Sequence, residues 1–190
     1  MRSRWEDAVS FHGHACPGLA QGLRASLLAL RVLGVERAED EELVVVAEND
    51  ACGVDAIQWV TGCTVGKGNL IFRNYGKPAY TFYSRSKGRG VRIIMEPRPS
   101  NEGEKDQDQL TESERRKEAI EHLLSAPLQE GMRIQEVDAP PIEPARIFAS
   151  VTCQACGERV MEPRARLQEG QVVCLACFDD YEARWGKTPS

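Results

Sequence analysis

This 190-residue sequence contains seven cysteines and three histidines, the residues best suited to bind a transition metal or act as a nucleophile and its base. Most of them fall into two groups along the chain. The later group consists of two Cys-x-x-Cys pairs, Cys153 with Cys156 and Cys174 with Cys177, with 17 residues between the pairs. Two intervening residues let both thiolates of a pair reach one tetrahedral ion, and this spacing of the pairs is typical of structural zinc sites. Because four thiolates fill a tetrahedral shell, the pattern predicts a structural Zn²⁺ and not a catalytic one.

The sequence around these four cysteines predicts a small zinc finger. Glu169-Gly170 lies between two β-rich runs, so a hairpin is predicted to join the pairs. Residues 178–185 are predicted to form a helix that carries Cys174 and Cys177 at its start, and the whole looks like a treble-clef finger. About 40 residues hold too little apolar core to fold without a staple, and zinc binding supplies that free energy. From position 142 onwards, six basic residues against seven acidic ones argue against phosphate-driven nucleic-acid binding.

The earlier group begins with His12, His14 and Cys16, which alternate along residues 11–18. An extended segment would place these three side chains on one side. Cys16 precedes a proline, which favours extended backbone at Cys16, and Pro17 can open a helix at its first position. The sequence therefore predicts a thiol at a helix N-terminus, where the helix dipole and the free N–H groups stabilise a thiolate.

Cys52 lies in the same relation to a second predicted helix, residues 53–61, and Cys63 follows that helix. Two imidazoles with several thiols suit a soft or borderline transition metal, or a nucleophile beside a base. The candidate ligands of this second metal, in the core, are His14, Cys16, Cys52 and Cys63. His12 is expected to lie next to these ligands without binding the metal directly. If the group is catalytic, the candidates are Cys16, Cys52 and His14. The alternative is that the cysteines are merely buried and the polar residues cap helices.

A glycine-rich run at residues 61–69 resembles a phosphate-binding P-loop but lacks its spacing. Only three residues separate Gly62 from Gly66-Lys67 where the P-loop has four, and the run follows a predicted helix instead of a strand. Lys67 is therefore a candidate for binding an anionic ligand, against the plainer alternative of a solvated loop lysine.

The remaining patterns predict the elements that position these residues. Leucines spaced three or four apart predict a helix over residues 17–33, ended by Gly34, and a Thr111-x-x-Glu114 capping box starts another that runs to about residue 124. Short β-rich runs bounded by turn residues favour a meander. These runs predict strands at residues 43–47, 70–72, 79–83, 91–95 and 131–137. The predicted fold class is therefore α+β, with helices packed on a mostly antiparallel sheet.

Composition and charge narrow the class of protein. The net charge of −5 argues against general binding to nucleic acids or anionic membranes. No run approaches the roughly 20 apolar residues of a membrane span. The first residues lack the apolar stretch of a signal peptide, and an odd number of cysteines cannot pair completely, so the cytoplasm is the expected location. A proline-rich linker at residues 138–144 divides a predicted core, residues 1–140, from the finger, residues 145–190.

Three motifs occur in a distinctive order along the core. They are Phe11-His12-Gly13-His14-Ala15-Cys16-Pro17-Gly18, then Cys52-Gly53-Val54-Asp55-Ala56-Ile57-Gln58, then Thr61-Gly62-Cys63-Thr64-Val65-Gly66-Lys67-Gly68-Asn69-Leu70. With Tyr75-Gly76-Lys77 behind them, these motifs resemble the E-subunit family of formylmethanofuran dehydrogenase. The resemblance covers roughly residues 5–137.

The resemblance implies an α+β core, dimeric in many members, with an auxiliary treble-clef zinc finger and a cleft of histidines and cysteines. The family is named for a complex that reduces CO2 to a formyl group on methanofuran with a molybdenum or tungsten pterin, which other proteins of the complex bind. We therefore expect a homodimer with no nucleic-acid or membrane partner. Its core cleft is expected to bind a metal or do redox chemistry beside such metalloenzyme subunits, in an accessory role. The alternative is a non-catalytic interaction module whose finger docks a partner protein.

Overall fold

The structure is a computed structural model that describes residues 2–97, 111–138, 143–144 and 146–180. The chain forms two compact units, Met1–Ala145 and Arg146–Ser190. The helices of the first unit are α1 (Arg2–His12), α2 (Pro17–Leu33), α3 (Gly53–Thr61) and α4 (Glu112–Ser125). Its strands are β1 (Leu43–Ala47), β2 (Leu70–Phe72), β3 (Ala79–Ser84), β4 (Arg89–Met95) and β5 (Met132–Val137). Within the described ranges, no helix has both the length and the apolar character that a membrane crossing requires.

The strands of the first unit form one five-stranded sheet in the order β2-β1-β3-β4-β5. β2 runs parallel to β1, and the other neighbouring pairs are antiparallel. The apolar core lies between this sheet and the helices. Its largest fully buried side chains include Leu19, Leu23, Ile57, Phe82 and Ile93. The predicted α+β class, with a mostly antiparallel sheet, is confirmed.

Helix α2 contacts the other three helices and strands β3 and β4. Pro17 occupies its first turn, where a missing N–H costs nothing, and Cys16 is its N-cap. Gly34 ends it with a left-handed backbone, φ 65°, that glycine adopts without a Cβ clash. These caps explain why the limits of α2 could be predicted from the sequence.

Two glycines allow α2 and α3 to touch at their backbones. A Cβ at Gly22 would lie 2.6 Å from the carbonyl carbon of Gly53, and a Cβ at Gly53 would lie 2.6 Å from the Tyr80 hydroxyl. A side chain at Gly22 would therefore push α2 and α3 apart, and a side chain at Gly53 would displace the Tyr80 hydroxyl of β3. One helical turn earlier, a Cβ at Gly18 would be in ordinary contact, 3.5 Å, with the Cβ of Cys52. The close approach thus brings the start of α2 to the start of α3.

Helix α1 differs from the prediction of an extended segment before Cys16. His12 is the last residue of α1, and Gly13 then turns the chain with φ 93°. The predicted alternation of His12, His14 and Cys16 along an extended strand is therefore wrong. The amphipathic pattern of α1 is weak. Among the described apolar side chains of α1, only Ala8 is fully buried, and Trp5 and Val9 are partly buried. The periodicity of apolar residues therefore did not predict this helix.

The substitution Gly22→Ala tests the contact between α2 and α3. Alanine favours the helical state by about 1 kcal/mol, but a methyl group forced against backbone atoms costs more, so we expect a net loss of about 2 kcal/mol in the free energy of unfolding. Chemical denaturation measures this loss. Gly66→Ala is the matched control, because a Cβ at Gly66 meets no atom within 4 Å. Equal stability of the two variants would contradict the close approach.

A buried carboxylate links two strands of the sheet. Glu48, 7% exposed and directly after β1, accepts hydrogen bonds from Nε and Nη2 of Arg92 on β4 at 2.5 and 2.8 Å. The pair of hydrogen bonds holds the pKa of Glu48 below its ordinary value, against the opposing effect of burial. Because β3 lies between β1 and β4, this bidentate pair links two strands that do not share backbone hydrogen bonds.

Glu48→Gln is expected to lower the free energy of unfolding at pH 7 by about 1–2 kcal/mol, because one charge of a bidentate pair is lost. Since the folded pKa is depressed, the contribution of Glu48 is complete above the ordinary glutamate pKa and is lost as the pH falls through the folded pKa. The difference between wild type and variant should therefore shrink from about pH 5 downwards. Denaturation at several pH values checks this. The control Glu96→Gln removes the exposed partner of Arg133 and should lower the free energy of unfolding by less. If the difference between wild type and Glu48→Gln does not change with pH, the coupling of Glu48 protonation to stability is refuted.

Candidate metal centres

Four of the predicted core residues form one cluster in the first unit. His12, His14, Cys16 and Cys52 offer donor atoms that all lie within 4.8 Å of one another. His12 ends α1, His14 lies in the loop before α2, and the two cysteines stand at the starts of α2 and α3. The cluster therefore depends on three helix ends that meet at one point. We call these four residues the core cluster.

His12 is held in place by a residue that the sequence analysis did not single out. Its Nδ1 makes a hydrogen bond of 2.6 Å with Oδ2 of Asp55 on α3, and Gln58 donates to Oδ1 of the same carboxylate at 3.3 Å. With Nδ1 engaged, Nε2 of His12 faces Sγ of Cys16 at 3.9 Å. Metal-binding histidines are commonly oriented in this way by a carboxylate on the other ring nitrogen. Asp55 and Gln58 stand three and six residues after Cys52 in one of the motifs, and that was the only signal for them.

The two thiols of the core cluster differ in their surroundings. Sγ of Cys16, which is 8% exposed, caps α2 by accepting a hydrogen bond of 3.3 Å from the backbone N–H of Leu19. Cys52 has helical dihedral angles, and its side chain makes no capping hydrogen bond within the described part of the chain. Burial, and then the neighbouring Cys16 thiol, raises the pKa of Cys52. A cation between the two thiols would oppose both effects and favour the thiolates.

The distances in the core cluster fit a metal ion. In a tetrahedral zinc site, typical bond lengths place a thiolate sulfur and an imidazole nitrogen about 3.6 Å apart. The observed separation of Cys16 Sγ from His12 Nε2 is 3.9 Å. The donor set of two imidazoles and two thiols suits zinc and neighbouring transition metals, and does not suit calcium or magnesium, which prefer oxygen ligands.

The structure does not bring Cys63 into the core cluster. Its thiol is fully buried and donates a hydrogen bond to the Leu43 carbonyl at 3.2 Å, and burial raises its pKa to about 11. Cys52 and Cys63 stand at opposite ends of the nine-residue α3, which is about 13 Å long, so one ion cannot reach both.

Lys67 likewise lies outside the core cluster. Its Nζ donates to the backbone carbonyls of Glu39 and Asp40 at 3.1 and 3.2 Å, so its charge is used within the loop that leads to β1. Lys67 is therefore held in its loop by backbone carbonyls, and binding of an anion by this residue stays a prediction.

The second unit holds the other cluster, Cys153, Cys156, Cys174 and Cys177, whose sulfur atoms also lie within 4.8 Å of one another. Two short hairpins present them. The first pairs β6 (Ser150–Thr152) with β7 (Arg159–Met161), and the second pairs β8 (Ala165–Gln168) with β9 (Gln171–Cys174). The separation of Cys156 Sγ from Cys174 Sγ is 4.0 Å, close to the roughly 3.8 Å expected for two thiolates on one tetrahedral ion.

Two of the finger thiols, those of Cys153 and Cys177, have pKa values shifted in opposite directions. Backbone N–H groups of Cys156 and Cys174 point at Sγ of Cys153 and lower its pKa to about 6. Hydrogen bonds with the thiols of Cys174 and Cys156 raise the pKa of Cys177 to about 12. The thiolate form is therefore favoured at Cys153, whereas Cys177 gives up its proton when a cation compensates the repulsion between neighbouring thiolates.

The prediction of a helix over residues 178–185 is wrong for its first part. Cys174 is the last residue of strand β9, Cys177 lies in the following turn, and residues 178–180 are not helical. The N–H groups of Cys177 and Phe178 both donate to the Cys174 carbonyl, which makes a tight turn in place of a helix start. Residues 181–185 lie outside the described residues.

Removal of one finger ligand by Cys156→Ser should lower the zinc content by one ion per chain. Because the second unit has few buried apolar side chains among its described residues, we expect residues 146–180 to become sensitive to proteases while the first unit stays resistant. Metal analysis and limited proteolysis with mass spectrometry measure both effects. A variant that keeps its zinc, or a finger that stays resistant without it, would contradict a structural zinc. Cys63→Ser is the matched control and should change neither readout.

Comparison with known proteins places the chain in a family. The family described as "FmdE, Molybdenum formylmethanofuran dehydrogenase operon" matches residues 11–138, and the "Prokaryotic dksA/traR C4-type zinc finger" matches residues 146–183. The first match covers more than half of the chain, so this protein belongs to the FmdE family, as its three motifs predicted. Together with the four-cysteine cluster, the second match identifies a cysteine-rich zinc-binding site.

Two known proteins are similar over most of this chain. The crystal structure of an FmdE-like protein from Syntrophus aciditrophicus, named after tungsten formylmethanofuran dehydrogenase, has a TM-score of 0.67 and 24% identity, covering 93% of this chain and 90% of that chain. A "Probable S-adenosyl-L-methionine-binding protein" from Archaeoglobus fulgidus is 32% identical over 95% of this chain. The match covers 54% of that relative, so the chain spans about half of its length.

Proposed function

We propose that the core cluster binds one transition-metal ion, separate from the finger zinc, and that this ion is the functional centre of the protein. The observation that carries the proposal is the hydrogen bond of 2.6 Å between Asp55 and His12, which turns Nε2 of His12 towards the Cys16 thiol. An imidazole oriented by a carboxylate on one side, with a thiol facing its other nitrogen, is the arrangement expected of a metal ligand.

The residues of the chain divide the work at this centre. Cys16 and Cys52 supply negative charge at two helix N-termini, His12 supplies a fixed nitrogen, and Asp55 keeps its ring in orientation. When bound, a zinc-like ion supplies Lewis acidity, and an iron- or nickel-like ion supplies electron transfer. The description of the family, which refers to a molybdenum formylmethanofuran dehydrogenase operon, supports a place for this centre beside such a metalloenzyme.

Metal analysis of the full chain tests the proposal. After reconstitution and gel filtration, the wild type should hold two metal ions per chain and Cys16→Ser should hold one, because the substitution removes a core ligand and leaves the finger intact. Cys63→Ser is the matched control, since this buried cysteine lies outside both clusters, and it should keep both ions. Circular dichroism shows whether each variant is folded.

Two results would overturn the proposal. One is a folded wild type that holds only the finger zinc, and the other is a Cys16→Ser variant that keeps two ions.

In either case the alternative function, docking of a partner by the finger, would be favoured by the apolar side chains that the second unit exposes. Among its described residues these are Ile147, Phe148, Met161, Leu167 and Leu175. Exposed apolar side chains that form one contiguous patch are typical of a contact surface.

A further inference from the structure

Three members of the core cluster are anchored by the fold. His12 ends a helix and is held by Asp55, and its side chain is only 10% exposed. Cys16 is buried and bound to the first turn of α2 through the N–H of Leu19. Cys52 is part-buried at the start of α3, where the backbone contact between α2 and α3 fixes its position. Rigid elements therefore position three donor atoms before any metal arrives.

His14 is held differently. It lies in the loop between α1 and α2, directly after Gly13 with φ 93°, and it is exposed. Within the described residues no hydrogen bond or ion pair fixes its imidazole, and its one ring contact is with His12, whose centroid is 4.4 Å away. An exposed side chain without such an anchor loses rotamer freedom when it binds a metal, and this loss weakens its bond relative to those of its pre-positioned neighbours.

On the assumption that the core cluster binds a metal as proposed above, we infer that His14 is an exchangeable ligand and marks the position where a small donor molecule reaches the ion from solvent. Catalytic metal sites commonly have three protein ligands and one replaceable position, whereas structural sites are closed by four. The core cluster thus combines three fixed donors with one displaceable donor.

The charge of the centre indicates which class of molecule can take that position. Two thiolates already balance the charge of a divalent ion, and the Asp55 carboxylate behind His12 adds a further negative charge. An incoming anion would make the site more negative, whereas a neutral donor leaves the charge unchanged. The inferred ligand is therefore a neutral donor molecule, for which imidazole is a direct probe because it has the same donor group as His14.

Cobalt titration of the full chain, with zinc already in the finger, tests this inference through the absorption of cobalt–thiolate complexes. His14→Ala should bind cobalt in the core within about tenfold of the wild-type affinity, whereas His12→Ala should lose about 100-fold or more. Added imidazole should change the spectrum of His14→Ala in a saturable way, and azide at the same concentration should change it less. His122→Ala is the matched control, because His122 is the third histidine, lies on α4 and pairs with Glu130.

The outcomes separate this inference from the proposed function. If the wild type binds cobalt in the core but His14→Ala loses as much affinity as His12→Ala, His14 is an anchor and the inference is wrong. The same holds if imidazole leaves the spectrum of cobalt-loaded His14→Ala unchanged, or if azide acts more strongly than imidazole. If the zinc-loaded wild type shows no cobalt–thiolate absorption on titration, the core metal itself is refuted and the inference falls with it.

Discussion

The core cluster depends on the backbone contact between α2 and α3. Gly22 and Gly53 leave no room for a Cβ, so the two helices meet closer than side chains would allow. Because both helices begin near this contact, their N-terminal residues, Cys16 and Cys52, are brought together across 36 positions of sequence. The tight approach thus converts two separate capping positions into one pair of thiols, and the first unit's candidate chemistry follows from it.

Helix ends supply both the geometry and the electrostatics of this centre. The Cys16 thiol lies at the positive dipole end of α2 and accepts a hydrogen bond from the N–H of Leu19, whereas burial and the Cys16 thiol raise the pKa of Cys52. The end of α1 contributes His12, and the Asp55 carboxylate of α3 fixes that imidazole from behind. Three helices are therefore tied together at the cluster by contacts that also orient its side chains.

Cysteine has different roles in the two units of the chain. The first unit buries a core of leucine, isoleucine, valine and phenylalanine side chains, and this burial stabilises its fold. The described part of the second unit buries little, and its four cysteines replace the missing core by holding two hairpins on one zinc. This difference explains why the finger cluster is closed by four thiols, whereas the core cluster includes an exposed histidine.

The sequence by itself determined the features that depend on near neighbours in the chain. These are the limits of α2 and α3, set by proline and glycine, and the capping box of α4. They also include the strands, and the zinc finger through its Cys-x-x-Cys spacing. Only the tertiary structure decided the core cluster. It excluded Cys63, which α3 carries to its far end, and brought Asp55 to His12 across 43 positions. Local spacing predicts ligands that one turn or hairpin presents together, but which helix ends converge is set by how helices pack, and that depends on contacts distant in sequence.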